Sequence, residues 1–180
     1  MTTFQIDPAH TEVGFSARHM MVTKVRGKFT DVRGSIDFDE KDPSQSSAEI
    51  VIGAASIDTG VGPRDAHLRS ADFLDAEQHP ELVIRTTSIR PKRGGSYTVT
   101  ADATVRGVTR PVELDAEILG FYNSMDGARR VGVSARTTIN RKDWGLDWNV
   151  ALETGGWLVS EQVAFEIELA LEQVSAAAAA

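Results

Sequence analysis

Four histidines and their neighbouring carboxylates are the residues of this chain best equipped for chemistry: His10, His19, His67 and His79, with Asp65 and Asp72 close to His67. Imidazole and carboxylate together can move protons or hold a metal ion, so a small histidine-dependent enzyme or metal site is one reading. The spacing gives it little. No HExxH pair occurs, no serine sits in a nucleophile elbow, and no glycine-rich loop follows a strand to cradle phosphate. No catalytic residue or metal ligand is therefore assigned. Arg18, Arg64 and Arg69 form a second set, because a guanidinium suits bidentate contact with an anionic group. Arg64 and Asp65 also read as a solvated helix start, with an acid near the positive end.

These side chains sit on or beside a short helical segment among strands. Gly62-Pro63 opens it, with proline in the first turn where its missing N–H costs nothing, and His79-Pro80 ends it. The segment from Arg64 to Asp75 mixes charge with Leu68 and Phe73, which look exposed, and such an insertion can cap a barrel. His67 lies one helical turn from Arg64 and beside Leu68, so it faces a cavity mouth or anchors the lid.

The surrounding chain alternates with period two. Val13, Phe15, Ala17 and His19 alternate with Gly14, Ser16 and Arg18, which places His19 on the buried face at a strand end. There it could donate to a ligand oxygen or be a satisfied core histidine. Val25, Gly27 and Phe29 fall on odd positions but Val32, Gly34, Ile36 and Phe38 on even ones, which predicts a bulge or bend near Thr30 and Asp31. Similar alternation marks strands around Tyr97 to Val105, Val112 to Ile118, Val131 to Ile139 and Val163 to Leu171. Roughly eight strands joined by tight turns make an all-β fold, an antiparallel barrel with a short helical insertion that can cap it, over residues 1–175.

The totals agree with one such domain. The 180 residues are 41% hydrophobic and carry a net charge of −7, which argues against nucleic-acid binding and against general attraction to anionic membranes. Cysteine is absent, so neither disulfides nor thiolate metal sites support the fold. No signal peptide or transmembrane segment is visible, so the expected location is cytoplasmic as written, or periplasmic or secreted if an N-terminal segment has been removed. The alanines at 176–180 are excluded from the fold.

Ala17, Ala101, Ala103, Ala116 and Ala135 fall on the inward face among larger side chains. Small inward residues leave an elongated void, or they fit the taper of a filled barrel. The pattern alone leaves both open.

Arg18-His19, the segment from Arg64 to Asp75, and Arg106-Gly107-Val108-Thr109-Arg110-Pro111 together resemble the signature of the YceI family of lipocalin-like, isoprenoid-binding proteins. Asp7 and His10 match the family's aspartate and histidine near its start, with Thr11 where serine is usual. Asn140-Arg141-Lys142-Asp143-Trp144-Gly145-Leu146 also resembles a family motif; Trp144 is expected to pack at a barrel end, with Arg141 pairing nearby acids. The 106–111 segment reads physically as a hairpin in which glycine supplies a difficult backbone geometry. The resemblance spans nearly the whole chain and implies a hollow barrel enclosing a polyisoprenoid, covered at one end by the helical segment.

On that basis the candidate cavity or mouth residues are Phe15, Ala17, His19, Phe29, His67, Leu68, Phe73, Val99, Ala101, Ala116 and Ala135, with Arg18, Arg64 and Arg69 as head-group contacts. The implied role is non-catalytic carriage or sequestration of an amphiphilic lipid such as a polyprenyl diphosphate or an isoprenoid quinone, without a cofactor. Many relatives carry a secretion signal absent here, which favours a cytoplasmic carrier or scavenger. A third reading is a filled barrel that docks a protein partner through a lid surface including Phe73 and Leu74, and unpaired strand edges or lid surfaces could support a homodimer.

Overall fold

The computed structural model describes residues 1–174, so residue 175 and the alanine run at 176–180 lie outside the described residues. Eleven strands and one α-helix follow in chain order: β1 (Thr2–Ile6), β2 (Glu12–His19), β3 (Thr23–Phe29), β4 (Val32–Phe38), β5 (Ser47–Gly53), β6 (Ile57–Asp58), α1 (Gly62–Arg69), β7 (Glu81–Pro91), β8 (Ser96–Val105), β9 (Val108–Asn123), β10 (Arg129–Asn140) and β11 (Gln162–Gln173). Strands β1, β4, β5, β7, β8, β9, β10 and β11 are neighbours in that order. The ring closes where β1 pairs with β11 from Phe4↔Gln173 to Ile6↔Leu171. The result is a closed, eight-stranded antiparallel barrel.

The remaining three strands continue members of that ring past a shared crease. β2 docks on the edge of β11 that β1 also uses, from Glu12↔Glu168 to Ser16↔Ala164. β3 pairs with β2, and β6 pairs with β3 at Phe29↔Ile57. The chain therefore bends between β1 and β2, between β3 and β4, and between β5 and β6. The bend at Thr30 and Asp31 expected from the change of phase is present: Phe29 and Val32 are both buried although they lie an odd number of residues apart. Backbone bonds hold the crease, from Gly53 N to Asp31 O at 2.9 Å and from Thr30 N to Ser56 O at 3.3 Å.

Two ends follow from this topology. The β2–β3 turn, the helical insertion, the β8–β9 turn and the segment after β10 gather at the lid end. The β4–β5, β7–β8 and β9–β10 connections gather at the far end. Outward positions carry cross-strand ion pairs such as Arg85 with Glu49 at 2.6 Å and Arg130 with Glu172 at 2.9 Å. Such exposed pairs add little stability each, and the buried inward face carries the fold.

Gly34 shows how closely the crease packs. Its φ is +149°, and a Cβ there would lie 2.2 Å from the Glu49 carbonyl oxygen and 2.9 Å from Ile50 Cα, both backbone atoms with no freedom to retreat. Gly34→Ala is expected to destabilise the protein by about 2 kcal/mol or more, read as a lower urea midpoint with unchanged slope.

Candidate ligand cavity

The lid is built from short-range polar contacts because its backbone is irregular and leaves carbonyl and amide groups without partners in the sheet. No side chain caps α1 at its start, where Val61 is the N-cap residue. Asp65, buried, instead accepts from the Thr59 amide at 2.9 Å and the Thr59 hydroxyl at 2.5 Å. Arg64 Nε donates to the same hydroxyl oxygen at 2.7 Å, and its Nη2 donates to the Thr59 carbonyl at 3.0 Å. Arg69 donates to the carbonyls of Ala55 at 2.7 Å and Ile57 at 3.0 Å. Arg106 reaches from the β8–β9 turn to the Phe73 carbonyl at 3.2 Å. That turn has positive φ at both Arg106 and Gly107, the conformation of a tight hairpin.

Arg141 completes the seal. It is 4% exposed, and its guanidinium donates to the carbonyls of Ser160, Leu146 and Val159 while lying 5.8 Å from the centre of the Phe73 ring. Burial lowers its pKa from the ordinary arginine value. The expected pairing of Arg141 with acids is corrected: within hydrogen-bond distance its partners are main-chain carbonyls, which neutral loop backbone leaves in need of donors. Trp144 packs beside it as expected, 3% exposed, with its indole N–H donating to the Ala103 carbonyl at 2.9 Å.

Behind this seal runs a cavity of about 210 Å³, lined from Trp144, Leu82 and Val105 at the lid end to Phe38, Pro43, Ile89 and Tyr97 at the far end. On β8 the lining takes Tyr97, Val99, Ala101, Ala103 and Val105, every second residue. Four two-residue steps span roughly 26 Å along the strand, and strand tilt reduces this to about 20 Å along the barrel axis. The space is long and narrow. Its lining hydroxyls are largely spent on the protein: Thr86 accepts from the Ala48 amide at 2.8 Å, Ser46 accepts from the Asp39 amide at 2.9 Å, and Thr137 donates to the Glu113 carbonyl at 2.7 Å. The exposed Glu117 belongs to the lining and marks contact with solvent near the far end.

The candidate residues divide sharply. Val99, Ala101, Ala116 and Ala135 line the cavity, and Ala116 faces Ala135 directly across β9 and β10. Phe15 and Phe29 pack against each other at 5.6 Å near the lid end, and Ala17 pairs with Val25 beyond the lining. His19 is exposed, which corrects its expected burial: β2 outruns β11, and His19 bridges Val159 through the backbone alone. Phe73 and Leu74 are 5% and 7% exposed and so are not a docking surface; Leu68 is half-buried against the core. His67 binds Asp72 at 2.8 Å and meets Phe73 and Trp148 edge-on at 5.1 and 4.5 Å, which anchors the lid. Arg18 donates to the Val22 carbonyl at 3.2 Å, so Arg18, Arg64 and Arg69 all donate to local backbone carbonyls, and none lines the cavity.

Sequence reasoning missed the β4, β5 and β7 contributions, Ile36, Ile50, Ile84 and Ile89 among them. The first three were available from alternation. Ile89 was hidden because a bulge at Thr87 shifts the phase of β7.

An up-and-down barrel with an apolar interior and a sealed lid defines a lipocalin-like cavity protein. The YceI-like domain matches residues 4–171, and the chain belongs to that family. A UPF0312 protein of Staphylococcus aureus (strain N315) is 36% identical over 167 residues, covering 92% of this chain and 95% of the relative. Among solved structures, Burkholderia cenocepacia BcnA is similar at TM-score 0.78 and 21% identity, covering 92% of this chain and 98% of that one. A polyisoprenoid binding domain from Saccharophagus degradans, implicated in plant cell wall breakdown, has TM-score 0.68 and 15% identity, with 97% and 99% covered. At those identities the two structures establish the fold.

Arg141→Leu should cost about 2–3 kcal/mol in urea unfolding, because the Ser160 and Leu146 carbonyls lose their donor while Val159 keeps the side-chain amide of Asn149. The folded fraction should keep its cavity, since Arg141 is outside the lining.

Proposed function

We propose that the protein binds a long apolar chain, of the isoprenoid class, inside the barrel, and that it sequesters or carries this ligand without chemical change. The observation that carries this reading is the cavity itself: long, narrow and walled by apolar side chains, with Ala116 facing Ala135 where larger residues would close it. A flexible chain laid along it gains on the order of 25 cal/mol per Å² of apolar surface buried, less the cost of ordering the chain. The named binding partner of the similarly folded Saccharophagus degradans domain supports a polyisoprenoid as the ligand. A polyprenyl diphosphate or an isoprenoid quinone has this shape, with the chain inside and the polar head left at a rim.

Histidine chemistry finds less support. His10 is held by Asp7 at 2.7 Å, His67 by Asp72 at 2.8 Å, His79 lies against Gly107, and His19 is exposed. Among the described residues no three His, Cys, Asp or Glu side chains come together as a metal site.

Native mass spectrometry of untagged protein, followed by denaturation and identification of the released molecule, tests the proposal. One isoprenoid amphiphile per chain is expected, either copurified or taken up from added geranylgeraniol. Persistent absence of both would refute it. Ala116→Phe should fill the cavity and lower uptake at least about ten-fold while leaving the melting temperature equal or higher, because the ring occupies existing space. Undiminished uptake in that variant would place the ligand elsewhere.

A further inference from the structure

A cavity that takes up a chain needs a way in, and both ends of this barrel are spanned. At the lid end the closure is deep: Trp144, Leu146, Leu74 and Leu82 are all buried, and the guanidinium groups of Arg64, Arg69, Arg106 and Arg141 tie the surrounding loops to one another. The far end is spanned differently. β9 is 16 residues long and outruns β8, whose pairing ends at Ser96↔Glu117. Its overhang, with the first residues of β10, reaches over the barrel opening.

Phe121 on this overhang is opposite Val131, an inward position of β10, and its ring lies 5.7 Å from Phe38 and 6.3 Å from Phe4. β9 and β4 stand four strands apart in a ring of eight, so the Phe121–Phe38 contact crosses the whole opening. A second contact runs parallel to it. Arg129, at the start of β10, makes a two-pronged bond to Glu40 in the β4–β5 connection, at 2.5 and 2.9 Å, and its guanidinium carbon lies 4.7 Å from the centre of the Phe121 ring.

The overhang also has less holding it in place than the fully paired strands have. Leu119 is a bulge in the β9–β10 ladder, and beyond it Gly120, with φ of +145°, faces Gly132. Two glycines opposite each other beside a bulge give a wall segment without side chains to pack. Among the described residues, the β9 edge from 118 to 123 has no strand partner on the β8 side. Phe121 is 38% exposed, and the Arg129 and Glu40 side chains are 35% and 42% exposed. Water can replace this ion pair, whereas the lid-end guanidinium of Arg141 is enclosed.

We infer that Phe121 and Arg129 of the β9–β10 hairpin, with Phe38 and Glu40 on the opposite side, form the access gate through which a ligand enters and leaves the cavity. This rests on the proposed binding of an apolar chain. Opening requires the hairpin and the β4–β5 connection to separate, which breaks the Glu40–Arg129 pair and the Phe38–Phe121 contact and leaves the lid untouched.

The absence of native cysteine allows a direct test. The 180-residue protein carrying Glu40→Cys and Arg129→Cys is tied across the opening with a short bis-methanethiosulfonate reagent, and uptake of geranylgeraniol is followed by native mass spectrometry at timed intervals. The tied protein should fill at least about ten-fold more slowly than the untied one and recover on reduction, while the reagent should leave the rate of each single-cysteine variant where it was before treatment. Arg129→Ala should fill about two- to five-fold faster than the parent, the range expected for losing one partly exposed ion pair. Added salt should speed the parent more than this variant. If the tied protein fills as fast as the untied one, the far end is not the route and the gate is overturned, with binding intact. If the parent itself takes up no geranylgeraniol and releases no copurified isoprenoid, the binding proposal falls and the gate with it.

Discussion

One edge of β11 determines the shape of this molecule. β1 and β2 dock on it in succession, through Phe4 to Ile6 and then Glu12 to Ser16, so a single strand edge both closes the barrel and carries it onward. The segment between them must bend. Because β3 and β4 follow the same path one strand over, and β5 and β6 the next, three adjacent strands break at one level. A sheet that closes has few exposed edges to protect, but a creased sheet opens locally and leaves main-chain groups unpaired. The helical insertion issues from the crease, immediately after β6. The lid is thus a consequence of how the barrel closes as well as a cover for its end.

This origin explains where the polar side chains go. Arg64, Arg69, Arg106 and Arg141 all donate to main-chain carbonyls, and Asp65 accepts from a main-chain amide. Among the described residues no buried side-chain nitrogen or oxygen is left without a partner. A guanidinium has five donors in a fixed fork and serves several carbonyls at once, which suits a short, irregular segment with many orphan acceptors. A lysine at Arg141 would offer one nitrogen to carbonyls from residues 146, 159 and 160. Charge concentrated in a sequence motif here marks difficult backbone.

The same reasoning accounts for what could be read from the chain and what could not. Alternation in β8, β9 and β10 was enough to find Val99, Ala101, Ala116 and Ala135, because a strand with one wet face declares the other. The bend at Thr30 was legible for the same reason, as a change of phase. Phe73 and Leu74 were not, since an eight-residue helix followed by turns has no period long enough to show which side is covered. His19 continued the phase of β2 correctly, but burial also needs a neighbour, and β11 stops short of it. Phe121, Arg129 and Glu40 carry no sequence signal at all. They meet across the barrel, and that meeting depends on strand count and on the overhang of β9.

The hollow core has an energetic consequence. Unfilled volume in a protein interior costs on the order of 24 cal/mol per Å³, so a void of about 210 Å³ forgoes roughly 5 kcal/mol relative to a filled barrel. That is comparable to the whole net stability of many domains. Larger apolar residues at the facing alanines would recover part of it, and stabilising changes of this kind are readily reached by single substitutions. A bound chain recovers it differently, since a ligand that binds only the folded state adds RT ln(1 + [L]/Kd) to its stability. Occupancy and folding are then coupled. The barrel keeps its shape through the crease, the lid and the outer ladder, and under the proposed reading the packing that an ordinary core takes from its own side chains comes from a bound chain.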